Sequence, residues 1–131
     1  MPGTARIRED AALLLNEVEI LERLGGDCQL LGYLCDMALT ELPRMMQFLA
    51  EAVETGDANA VHRAAHRLKG SLSVFGEGPH FHDCLTIEAI ALKSDLSRIP
   101  EIMSSLERHL EQLRTAVAVL GRESHAHSDR R

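Results

Sequence analysis

Ala65-His66-Arg67-Leu68-Lys69-Gly70-Ser71 puts a reactive imidazole, a cation and a missing side chain on one strip of a predicted helix. Residues three and four apart share a helical face, so Lys69 and Gly70 lie beside His66, and the bare backbone at Gly70 lets another protein approach closely. On the opposite strip Val61, Ala64, Ala65, Leu68, Leu72 and Phe75 recur at helical spacing and are expected to face a core. Reactive face and packing face are separated, an arrangement that suits a histidine carrying a phosphoryl group.

Working outward, Gly56 closes the preceding helix and Asp57 caps the histidine helix, which is expected to end near Gly76 and Gly78. Upstream, a short helix over about 17–24 would turn Ile20, Leu21 and Leu24 inward. Gly25-Gly26 ends it, and Asp27 caps a long second helix. That helix carries Leu31, Leu34, Cys35, Ala38, Leu42, Met45, Met46, Leu49 and Val53 on one stripe. Pro43 removes a donor in its middle, and the pattern alone permits a break at Leu42. After Pro79 a further helix has Phe81, Leu85, Glu88 and Leu92 on a related strip. The last helix, expected over about 97–120 with Ser97 as cap and Pro100 in its first turn, turns Ile99, Ile102, Met103, Leu106, Leu110, Leu113, Val117 and Leu120 inward. The expected fold is all-α, an up-down four-helix bundle with a short additional N-terminal helix. Residues 1–16 read as an N-terminal extension, partly ordered at most, 17–120 as the bundle, and 121–131 as a disordered tail.

Length and composition agree with this. The 131 residues fit one core and leave no room for a kinase unit; 45% are hydrophobic but only 3% aromatic, which favours packed helices. The apolar run Ala11–Leu15 is too short to span a bilayer and is flanked by charge, so neither membrane insertion nor secretion is expected, and the location is read as cytoplasmic. Cys28, Cys35 and Cys84 lack the spacing of a zinc ribbon and are expected as reduced thiols. A net charge of −6 argues against a nucleic-acid partner. The charge is uneven, however: between Ala58 and Val74 there is no acidic residue, while Arg63, Arg67 and Lys69 surround His62 and His66.

The histidine stretch resembles the signature of the histidine phosphotransfer (HPt) domain family. Leu21-Glu22-Arg23-Leu24-Gly25-Gly26-Asp27, Thr40-Glu41-Leu42-Pro43, Glu54-Thr55-Gly56-Asp57, Gly76, Ile87-Glu88 and Asp95-Leu96 through Pro100 fall where that family has its landmarks, so the resemblance spans about Val18 to Leu120. It implies one continuous, bent second helix and a module that carries phosphoryl groups between receiver domains in two-component phosphorelays. His66 would accept the group from a receiver aspartate, as a phosphohistidine intermediate, and pass it to a response regulator. The resemblance further implies that the receiver supplies Mg²⁺, with no cofactor bound by this chain. The partners would be receiver domains of response regulators and/or of a hybrid sensor histidine kinase; a monomer is expected because no apolar stripe is left over once the bundle is closed.

The residues themselves support this chemistry and two rivals. An exposed neutral imidazole can act as the nucleophile. Lys69 can reach phosphoryl oxygens in a binding role, and His62, Arg63, Lys69, Gly70 and Ser73 form the expected docking face. Without a Gly-rich phosphate loop, the chain is not expected to phosphorylate itself from ATP. One rival is an interaction-only bundle that binds receivers without transfer. The other is a metal-binding bundle using the i,i+4 pair His62 and His66, extended by His80, His82 and Cys84. Glu88 reads as a structural carboxylate bonded to a helix end or a neighbouring side chain. His109, His125 and His127 belong to no evident constellation.

Overall fold

Local signals in the sequence set the helix boundaries seen in the computed structural model, which describes residues 15–129. The Asn16 side chain accepts from the Glu19 amide and starts α1 (Glu17–Arg23). Gly25 and Gly26 then take positive φ, and the Gly26 amide returns to the Leu21 carbonyl at 2.7 Å. Asp27 caps α2 (Cys28–Thr55) by accepting from the Leu30 amide, and Gly56 ends it at φ 74°. Asp57 caps α3 (Ala58–Leu72) in the same way, through the Ala60 amide. A 3₁₀ turn, Ser73–Phe75, leads through Gly76 to α4 (Pro79–Leu92), with Pro79 in the first turn where its missing N–H costs nothing. The last helix, α5, runs Ile99–Asp129. Its approach is fixed by the Asp95 carboxylate, which accepts from both the amide and the hydroxyl of Ser97, so Ser97 serves the turn instead of capping the helix.

The four main helices form an up-down bundle: α2 packs on α3 and α5, and α4 packs on the same two. Pro43 does not split α2, which is one helix of 28 residues. The proline is on the exposed side, and the buried stripe Leu31, Cys35, Ala38, Leu42, Met45, Leu49 and Ala52 keeps its phase across it. Val61, Ala65, Leu68 and Leu72 of α3 meet it, together with Ile99, Leu106, Leu113 and Val117 of α5.

Two further expectations need correction. In α4 the buried strip is His80, Cys84, Ile87 and Ala91, one position away from the predicted Phe81, Leu85, Glu88 and Leu92. Leu85 and Leu92 are exposed, at 39% and 73%. The predicted disordered tail from Gly121 is instead the continuation of α5 through Asp129. Gly121 lies so close to α2 that a Cβ there would be 3.1 Å from Cys35 Cβ, Ser124 is buried, and His125 Nε2 is 3.0 Å from Asp36 Oδ2. The predicted extension up to Leu14 lies outside the described residues; Leu15 is buried and Asn16 is the cap of α1. Among the described residues no helix is long and apolar enough to cross a membrane.

Candidate functional site

His66 stands in the middle of α3, held against the bundle by the buried Ala65 and Leu68 beside it, with 66% of its side chain exposed. Its Nδ1 is 3.4 Å from Oε1 of Glu88, which reaches over from α4 and is only 12% exposed. Lys69, one turn along, brings its Nζ to 3.2 Å from Glu88 Oε2 and 3.1 Å from Oε1. It also lies 5.8 Å from the centre of the Phe81 ring. Oε1 is buried and has no well-directed hydrogen bond, so it is an acceptor available to an Nδ1–H. A proton held at Nδ1 leaves the lone pair on Nε2, the nitrogen an incoming electrophile would meet.

The other expected site residues lie along α3 or, for Ser73, at its C-terminal cap. The His62 and His66 rings are parallel to within 8°, with centroids 6.2 Å apart. A Cβ at Gly70 would meet nothing within 4 Å, so no internal packing demands the glycine, consistent with an outside approach. Arg63 and Arg67 are exposed, and among the described residues neither has a carboxylate within ion-pair distance. Ser73 is exposed but its hydroxyl donates to the Gly70 carbonyl at 2.8 Å, which makes it a helix-end residue first. Lys69, expected in a binding role towards phosphoryl oxygens, is one-half of an ion pair with Glu88. Glu88 does bond a neighbouring side chain, as expected, but that neighbour is the lysine of the reactive face, and the histidine is next to it. No pattern along the chain could reveal this, because the two helices meet only in the folded bundle.

Beside this strip, on the α2 side, is a groove of about 560 Å³. Met37, Arg44 and Phe48 of α2 and Arg67 and Ser71 of α3 are among its lining residues, and Met37 and Phe48 are exposed at 46% and 52%. The sequence reading missed it. Its signal was the row of apolar residues on the outer face of α2, out of phase with the core stripe.

Among the described residues no group of three or more His, Cys, Asp or Glu side chains could hold a metal ion. His80 and Cys84, proposed as extra ligands for the histidine pair, are buried in the core on another helix. Burial pushes the Cys35 and Cys84 thiols up to about 12, so both are inert core side chains.

A family model described as the Hpt domain matches residues 29–116. The chain belongs to the Hpt domain family. An Hpt domain has a general role in phosphorelays, and membership implies interaction with receiver and sensor kinase domains in general terms. Comparison with curated proteins and with solved structures gave no match.

Proposed function

We propose that this Hpt domain is a phosphocarrier: His66 accepts a phosphoryl group from the aspartate of a receiver domain and passes it to the receiver of a response regulator. The observation that carries this reading is the exposed His66 whose Nδ1 faces the buried Glu88 Oε1 at 3.4 Å, which leaves Nε2 outward. The ring lone pair attacks phosphorus in line, and the departing aspartate keeps the electrons of its P–O bond as a carboxylate. The receiver would supply the Mg²⁺ that neutralises the transferring oxygens. The chain contributes the nucleophile, the carboxylate that orients it, and the docking face formed by His62, Arg63, Lys69, Gly70 and Ser73. The groove rimmed by Met37 and Phe48 offers an apolar continuation of that face.

The test is transfer from labelled phosphorylated receiver domains to the wild type and to His66→Gln. Acid-labile label on the wild type and none on the variant is the expected outcome. No transfer from a broad panel of receivers would replace this reading by that of a bundle that binds receivers without transfer.

A further inference from the structure

A monomer is expected of a bundle that closes with no apolar stripe left over, and α2 leaves one. Leu30, Tyr33, Met37 and Phe48 are exposed, and their spacing puts them on one strip of the helix, about a third of a turn from the buried stripe. Glu41 and Arg44 continue the same strip between Met37 and Phe48. Among the described residues neither has an opposite charge within ion-pair distance. From Leu30 to Phe48 the strip covers about 27 Å of helix. That is more than a partner seated on His66 needs. Arg67, next to His66, lines the groove with Phe48, whereas Leu30 and Tyr33 lie past the end of α3, which has 15 residues to the 28 of α2.

We infer that this strip is the contact face of a homodimer, in which α2 of one copy lies antiparallel on α2 of a second. The order of the charges sets the orientation. With a two-fold axis passing between Glu41 and Arg44, antiparallel helices bring Glu41 of each copy to Arg44 of the other, and Met37 of each copy to Phe48 of the other, so every contact is made twice. A parallel pairing in register would set Glu41 against Glu41 and Arg44 against Arg44, which is repulsive. Leu30 and Tyr33 extend the contact to the last turns of the other α2. This self-complementary order of apolar and charged residues selects a second copy of the chain over an unrelated protein. The groove of about 560 Å³ lies between the strip and Arg67 and Ser71, so the dimer closes the α2 side of the surface beside His66. On the phosphocarrier reading, on which this last consequence rests, receivers dock on the monomer and self-association holds back transfer. The dimer itself does not depend on that reading.

The experiment is sedimentation velocity of the full chain from about 1 μM to about 1 mM, comparing wild type, Glu41→Arg, Arg44→Glu and the double exchange Glu41→Arg/Arg44→Glu. The wild type is expected to double its mass within that range. Either single change sets like charges together at both pairs and is expected to weaken the dimer by about tenfold. The double exchange restores opposite charges across the axis and is expected to recover the wild-type association. A wild type that stays monomeric throughout overturns the inference and leaves the strip to a receiver or to the residues before Leu15. A double exchange as weak as the single changes overturns it as well, since the two residues would not then face each other across the axis. Mass is read without any phosphoryl transfer, so a failure of the phosphocarrier reading leaves this result standing. The rate of labelled transfer per chain of wild type is expected to fall as the dimer forms; a level rate would overturn the competition with receivers.

Discussion

Glu88 is the α4 residue that reaches both His66 and Lys69 of the histidine helix. A carboxylate this enclosed is costly unless it is paired, and Lys69 supplies the pairing while Oε1 stays within reach of His66 Nδ1. Glu88→Ala is expected to slow phosphoryl acceptance on the order of tenfold, about 1.4 kcal/mol in the barrier, because Nδ1 loses its acceptor and the ring its preferred protonation site. The freed lysine can extend to solvent, so the melting temperature should move by only a few degrees. Rates of labelled transfer and a thermal melt on the same samples check this; a wild-type rate would reduce Glu88 to a structural carboxylate.

The starts of α2 and α3 and the end of α2 were the most legible features of the chain, because each is written locally. Asp27 and Asp57 bond the amides three residues on, and Gly56 takes the left-handed turn. Facing was harder to read. α4 has apolar residues on several sides, and its true core strip includes His80 and Cys84, whose side chains do not advertise burial, so the register was read one residue late. The end of α5 was illegible for a related reason: Gly121 and Ser124 pack by being small, and His125 by reaching Asp36, none of which is an apolar pattern. His66 was readable from its own helix, whereas its pairing with Glu88 is a product of tertiary packing. If residues 121–129 belong to the bundle, truncation after Leu120 should cost roughly 1 kcal/mol and lower the melting temperature by about 5 °C, since it uncovers α2 around Cys35. An unchanged melting curve would show that those turns add nothing.

For the molecule as a whole, the packing between α4 and α5 sets an acid limit. His80 is 1% exposed, and burial pushes it from 6.5 down to about 4, a backbone hydrogen bond at Gly76 offsetting only part of this. Nearby His109 lowers it further and Asp83 opposes. The unfolded chain takes up the proton near pH 6.5, while the folded chain resists until about pH 4. The stability that neutral His80 allows is thus present in full above pH 6.5 and is lost progressively as pH falls towards 4, about 3 kcal/mol in all. Denaturant unfolding across that range should show a steeper decline for the wild type than for His80→Leu; parallel curves would mean that the ring is not held neutral.

Unequal helix lengths have a consequence for measurement. α3 has 15 residues and α4 has 14, whereas α5 has 31. His109, level with Asp83 at the start of α4, is followed by two-thirds of α5, so at the helical rise of about 1.5 Å per residue the helix end stands about 30 Å further along the axis. A fluorophore placed there would be a bystander to docking, reporting the arrival of a labelled receiver at His66 by energy transfer without standing in its way.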